Sequence, residues 1–350
     1  MKKSQSIFPT KSNWFRWLRT IILGIVLTIV IYNGWRVNAN YIPDRIIVYA
    51  ASSHEQVLTQ GIFPAFKQIW KIKTGQDCEI EAIFGPSASL AGQIVLSAPA
   101  DVALFSNPYH VEWLKLWRMV EQESQPIAFG YSPIVIVTRT NNPIGIRSFQ
   151  DLTLPGVSLV HGDPRTSGGG EWGVLAEYGS ALFEPNNPSV AKSQLQNIWK
   201  NVRWVGLSAQ EALTIFELGA GDALITYEHE ARQALERGVQ LEIVTPTHTI
   251  VSQHVAVIVD KNVTRRDRVI AQAFVDFLVS PAGQEILSTQ HLRQSPHYDG
   301  EFTKLRQPFM VEDLGGWKSA YKEVIETIWK SDIEPLLTLD EAPLQVPPGE

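Results

Sequence analysis

Four times along this chain an apolar run of strand length ends in a turn of serine or glycine, and helical spacing follows. The turns are Ser52-Ser53, Ser87-Ala-Ser89, Ser167-Gly-Gly-Gly170 and Ser208. Such regular alternation predicts an α/β fold with a mostly parallel sheet. In open sheets of this kind ligands bind beyond the carboxyl ends of the strands. Four small-residue turns at matching points therefore aim several helix N-termini toward one place. A helix start leaves N–H groups unpaired and carries partial positive charge, which suits an anion.

The fullest of these turns is Asp163-Pro-Arg-Thr-Ser-Gly-Gly-Gly-Glu-Trp172. A buried strand is expected before it, at 157–160. After it, Trp172, Leu175, Ala176, Gly179, Leu182 and Phe183 recur at helical spacing. Ser167 stands at the N-cap, and the glycines let backbone approach a ligand closely. Taken singly, a serine at such a turn is more often only a cap. The repetition favours a shared anion site.

Further strands are expected at 45–51, 79–84, 100–105, 134–138, 202–207, 223–227, 241–244 and 254–259. Helices are expected at 55–74, 90–96, 111–119, 190–200, 228–237, 266–279, 281–287 and 316–329, with another opening at Ser208. Ser106-Asn-Pro-Tyr109 opens the helix after the third strand. Glu228-His-Glu230 reads as a solvated helix start rather than a metal site, because consecutive residues do not share a helix face.

The first forty residues stand apart. Lys2, Lys3, Lys11, Arg16 and Arg19 lead into an apolar run from Thr20 to Tyr32, flanked by Trp14, Trp17 and Trp35. This is a signal-peptide core or a membrane anchor, with a slight lean to an uncleaved anchor. Either way the body of the protein lies on the extracytoplasmic face, periplasmic or secreted. Cys78, the single cysteine, allows no intrachain disulfide and no cysteine metal site. The net charge of −6 leaves no nucleic-acid footprint. No Gly-x-Ser-x-Gly elbow, His-Glu-x-x-His or phosphate loop is present, so no enzyme, no catalytic residue, no metal and no cofactor are expected.

Four motifs carry a specific resemblance. Pro164 to Trp172 resembles a Pro-x-Thr-Ser-Gly-Gly-x-x-Trp signature, and Pro99-Ala-Asp-Val102 a (Gln/Pro)-Ala-Asp-Val strand. Gly219-Ala-Gly-Asp-Ala-Leu-Ile-Thr-Tyr-Glu228 resembles Gly-x-Gly-Asp-Val-Leu-Ile-x-Trp-Glu. Phe309-Met-Val-Glu-Asp-Leu-Gly-Gly-Trp317 resembles Phe-x-x-(Asp/Glu)-x-x-Gly-Gly-Trp. Together they resemble the sulfate-binding proteins of bacterial ABC importers, which are type II periplasmic binding proteins, from about residue 45 to about 327.

The resemblance implies two α/β lobes joined by a hinge of crossing strands, near 130–134 and 251–255, preceded by one N-terminal hydrophobic helix. It implies a first lobe at 41–131 and 253–329, a second at 132–252, a signal or anchor segment at 1–40 and an acidic, proline-rich tail at 330–350. It further implies a small oxyanion ligand held by neutral donors, sulfate or thiosulfate first. Delivery would be to ABC importer membrane subunits by a monomer, tethered to the membrane if the N-terminal helix stays. The alternative is a membrane-tethered sensor or divergent paralogue with another anionic ligand.

By residue, the resemblance implies ligand-binding roles for Ser53, Ser87, Ser167, Gly168, Gly169, Ser208 and Tyr227, with Ser52 and Ser132 as secondary candidates. There are departures. Ser53, or Ser52 if the loop shifts by one, stands where the family has an Asp, Tyr227 stands where it has an indole, and the Ser208 loop lacks the family's glycines. Pro86 removes one backbone donor. Gly170 and Glu171 replace small and basic residues, and Glu171 is expected to point to solvent.

Overall fold

The structure, a computed structural model, describes residues 19–28, 43–183, 186–296 and 302–339. It separates into two compact units, residues 1–43 and 44–350. In the first, residues 19–28 are helical and exposed, and the Thr28 hydroxyl donates to the Gly24 carbonyl at 2.7 Å. Among the described residues no helix is long and apolar enough to cross a membrane. Most of the expected signal or anchor segment lies outside the described residues.

The second unit is built on one ten-stranded sheet. The strands are β1 (Asp44–Ala51), β2 (Cys78–Gly85), β3 (Val102–Phe105), β4 (Ile127–Thr138), β5 (Leu159–Gly162), β6 (Val202–Gly206), β7 (Ala223–Tyr227), β8 (Glu242–Val244), β9 (His248–Ile258) and β10 (Gln307–Phe309). Their order is β2-β1-β3-β9-β4-β7-β5-β6, with β10 on β9 and β8 on β4. β1, β2 and β3 are parallel to one another, and so are β5, β6 and β7. β9 runs antiparallel to β3, β4 runs antiparallel to β7, and β4 and β9 run antiparallel to each other. The result is the two-lobed type II arrangement, one parallel set in each lobe.

Two long strands make the join. β4 pairs with β9 from Ile127 to Pro133 and with β7 from Ile134 to Thr138. The change of partner falls between Pro133 and Ile134, inside the expected crossing. Both strands are longer than expected, because Phe129, Val251 and Ser252 are buried as fully as the apolar runs that follow them.

Helices cover both faces of each lobe, so inner strands such as β3 and β7 are buried along their whole length, while the edge strands β2 and β6 keep exposed polar residues such as Glu79, Glu81 and Arg203. In β4, Ile134 and Ile136 enter the core around Trp172 and Trp199, while Val135 and Val137 enter one around Phe216. In the other lobe, Ile46, Val48 and Ala50 of β1 pack with Phe66 and Phe274, and Tyr49 packs with Leu90 and Leu114.

The C-terminal part departs from expectation. Residues 253–329 were expected in the first lobe, yet Phe309, Val324, Ile328 and Trp329 join the core of Trp172 and Trp199 in the second. The last helix does not stop at Trp329. Helix Tyr321–Ile333 runs into Glu334–Leu339, because buried Ile333 extends its apolar face.

Candidate anion site

Six turns converge on one small cavity between the lobes. Ser52 and Ser53 follow β1, Pro86 and Ser87 follow β2, and Ser106 follows β3. From the other lobe, Ser167 follows β5, Ser208 follows β6, and Tyr227 closes β7. The cavity of about 10 Å³ is lined by these residues with Ala51, Gly85, Gly169 and Ala209. That volume is on the scale of one water-sized centre, so in this conformation only a small inorganic ligand fits.

The helix starts explain how the hydroxyls are oriented. Ser167 Oγ accepts from the amides of Gly169 at 3.1 Å and Gly170 at 3.3 Å, at the start of helix Gly168–Phe183. Ser208 Oγ accepts from the Glu211 amide at 3.0 Å and caps helix Ala209–Glu217. An oxygen already accepting from the backbone keeps its own O–H to donate elsewhere. Ser87 Oγ accepts from the Ser106 amide at 3.2 Å and lies 3.0 Å from Ser106 Oγ. One hydroxyl of that pair donates to the other, which leaves one proton free.

Two buried hydroxyls lack a well-formed hydrogen bond in the protein: Ser53 Oγ, and the Tyr227 hydroxyl, which has only the Ser106 side chain in reach. Burial also drives the Tyr227 pKa well up, so the phenol stays a neutral donor. Buried polar groups are normally paired, so an orphan in a cavity wall has a hydrogen bond to give to a water or a ligand. Among the described residues, no charged side chain lines the cavity.

Each glycine of the triplet has its own steric reason. A Cβ on Gly168 would lie 2.6 Å from Ser106 Oγ across the cleft. One on Gly169 would lie 2.7 Å from Ala209 Cβ and 3.1 Å from the Tyr227 ring. One on Gly170 would lie 2.6 Å from the Asp163 carbonyl carbon. Gly168 thus serves closure, Gly169 the approach to Tyr227, and Gly170 the packing of the helix on its own strand.

A family model described as bacterial extracellular solute-binding protein matches residues 46–293. The chain belongs to that family. A sulfate-binding protein of Salmonella typhimurium is 34% identical over 278 residues, covering 74% of this chain and 83% of that one. A thiosulfate-binding protein of Pseudomonas aeruginosa is 30% identical, covering 74% and 82%. The solved structure of the sulfate-binding protein SubI from Mycobacterium tuberculosis superposes with a TM-score of 0.74 at 24% identity, over 80% of this chain and 99% of that one, and shows the shared fold.

In this solute-binding protein the cavity brings together Ser52, Ser53, Ser87, Ser167, Gly169, Ser208 and Tyr227. Gly168 sits beside it, against Ser106 and Ser87. Ser132 does not line it. It is fully buried in β4, where its hydroxyl accepts from the His229 amide at 3.3 Å and its carbonyl from the Ser252 hydroxyl at 2.6 Å. Ser106 was missed, although it follows its strand as a small residue opening a helix, the signal that marked the other four turns.

Two expectations about charge are overturned. Glu171 does not face solvent: it is 1% exposed, accepts from Asn107 Nδ2, and lies 3.4 Å from His110 Nε2. Gly168 lets the turn after β3 come close enough to cover it. Glu228, His229 and Glu230 are likewise buried rather than solvated. Glu228 is paired with Arg293 at 2.8 Å and Arg232 at 2.9 Å. Glu230 accepts from the Thr226 hydroxyl at 2.5 Å, and burial raises its pKa to about 7.

Proposed function

We propose that this protein captures a small, fully ionised oxyanion, sulfate or thiosulfate, between its lobes on the extracytoplasmic side of the membrane and delivers it to an ABC importer. The observation that carries this is the cavity wall. It offers six serines and one tyrosine, no charged side chain among the described residues, and two buried hydroxyls without a well-formed hydrogen bond in the protein. A desolvated dianion needs a full set of hydrogen bonds. Hydroxyls committed as donors and three helix starts supply them without a counter-ion. A protonated oxyanion would bring an O–H that finds no acceptor, which disfavours hydrogen phosphate. The names of the relatives point to the same ligands.

In this reading Ser52, Ser53, Ser87, Ser106, Ser167, Gly168, Gly169, Ser208 and Tyr227 form the binding shell. The first lobe spans roughly 44–133 and 251–296. The second spans roughly 134–250 and takes in the C-terminal helices. The protein acts as a monomeric binder without catalysis. Its basic, apolar N-terminal segment directs export and leaves it tethered if uncleaved.

Isothermal titration with sulfate, thiosulfate, molybdate and phosphate at neutral pH tests the proposal. Sulfate or thiosulfate is expected to bind at least tenfold more tightly than phosphate. A folded protein that binds none of the four overturns it.

A further inference from the structure

Behind the cavity, three fully buried histidines meet at the lobe junction. His54 follows Ser53 in the turn after β1, His254 lies in the crossing strand β9, and His229 is the second residue of helix Glu228–Glu236 in the other lobe. Their ring centroids are 4.9 Å apart for His54 and His254, and 5.3 Å for His229 and His254. Phe129 and Tyr227 pack against the group.

The hydrogen bonds fix where every proton sits. Ser252 donates its hydroxyl proton to the Ser132 carbonyl, so its oxygen must accept from His254 Nε2 at 3.1 Å. His254 Nδ1 is then bare, and His54 Nε2 donates to it at 2.7 Å. His229 Nε2 donates to the Ser53 carbonyl at 3.2 Å. The Nδ1 atoms of His54 and His229 remain buried without partners. No acceptor is left for one more proton. On His254 it would set two N–H groups against each other. On His54 or His229 it would be a buried, unpaired cationic N–H.

We propose that His54, His229 and His254 form a proton-sensitive latch, which closes the lobes and positions Ser53 only while all three are neutral, so that acidification releases the bound anion. The link between latch and ligand rests on the anion-capture reading.

The surrounding groups support this. Burial lowers His54 and His254 well below the ordinary histidine value, and His229 to about 3. The carboxylate behind His229, Glu228, is already engaged by Arg293 and Arg232. The Tyr227 phenol is neutral, and His291 pairs with Glu236.

The sign follows from linkage. An imidazole that meets water in an open form regains a value near 6.5, so closure must expel its proton. The latch is complete above that value and weakens as pH falls below it, by about thirtyfold per exposed imidazole at pH 5. Glu230 acts in the opposite sense, because closure that buries it takes up a proton between its ordinary value and about 7, which cancels little more than one of the three imidazoles and leaves the net effect with the other two.

The test is sulfate titration at pH 7.5 and pH 5.0, a range in which sulfate stays a dianion. Wild-type affinity is expected to fall at least tenfold. His229→Gln, which keeps an N–H donor but does not titrate, is expected to shrink that ratio, and Glu230→Gln to enlarge it. A wild-type change below threefold, or an unchanged ratio in His229→Gln, overturns the latch. Nitrogen-15 NMR of the imidazoles guards against a variant that fails to fold. In wild type with sulfate at pH 7.5 the three rings are expected as neutral Nε2–H tautomers, and any other state overturns the latch. If no anion binds at pH 7.5, the capture reading fails while the latch is still read by solution scattering. Expansion of the ligand-free protein between pH 7.5 and 5.0 with concurrent ring protonation supports it, and constant dimensions overturn it.

Discussion

The amide of Ala88 donates to the carbonyl of Thr166 at 3.0 Å. That single bond ties the helix start after β2 to the turn after β5, and so sets Ser87 and Ser167 across the cavity from each other. Ser87→Ala and Ser167→Ala are each expected to weaken sulfate binding about tenfold, since each removes a hydrogen bond to a charged group worth roughly 1.5–3 kcal/mol. Calorimetric titration measures this. Unchanged affinity in both variants excludes the proposed shell.

Tyr227→Phe separates binding from stability. Its hydroxyl makes no well-formed hydrogen bond in the protein and has only Ser106 in reach, so its removal costs the folded chain little. Affinity should fall about tenfold by the same reasoning while the melting temperature holds. Ser167→Ala should lower both, because it also deletes a helix cap worth about 0.5–2 kcal/mol. Thermal melts without ligand, run beside the titrations, distinguish the two.

Gly168→Ala should hinder closure. Its Cβ would stand 2.6 Å from Ser106 Oγ in the facing lobe. Overpacking of this kind costs about 1–3 kcal/mol, which is roughly fivefold to somewhat over a hundredfold in affinity. Alanine favours a helix over glycine, so the lobe that carries it should not melt earlier. A variant that binds as wild type does would show that this approach is not needed for binding.

Glu171→Gln is expected to tighten sulfate binding, on the order of threefold to tenfold. It removes a buried negative charge one turn beyond Ser167, where Coulomb forces are poorly screened. Weaker binding by the variant would mean that the carboxylate serves the site through Asn107 and His110.

Arg293→Met is expected to destabilise the fold by about 3–5 kcal/mol, because it leaves the Glu228 carboxylate buried with only the half-buried Arg232. Urea denaturation measures it. Glu228→Gln/Arg293→Met should recover part of the loss, since no uncompensated charge then remains buried.

Much of this arrangement was legible in the residues. The small-residue turns marked the carboxyl ends of β1, β2, β5 and β6, because a chain leaving a parallel strand for a helix needs a cap there. Ser106 carried the same mark but was read only as a helix start, beside Asn107 and Pro108, which look like ordinary turn formers. Glu171 and Glu228 were misread for one shared reason. Acidic residues in a first helical turn are usually solvated there, and only packing from distant segments buries these two. Asn107 and His110 cover Glu171, while Arg293 reaches Glu228 from 65 residues away. The histidines of the junction are scattered along the chain at 54, 229 and 254, and no local pattern unites them. The full extent of β4 and β9 was also hidden, since Gly130 and Pro133 interrupt the apolar run that β9 extends by pairing with it.

The uncharged wall of the cavity has a kinetic consequence. With no charged side chain in the cavity wall among the described residues and a net charge of −6, the chain gives little long-range attraction to its ligand. Encounter is left to unaided diffusion, and added salt should speed association slightly by screening the overall repulsion. Selection among anions then falls to dissociation. An abundant monovalent ion meets the site as readily as a rare oxyanion, but it cannot engage enough hydroxyls to hold the cleft shut, and it leaves.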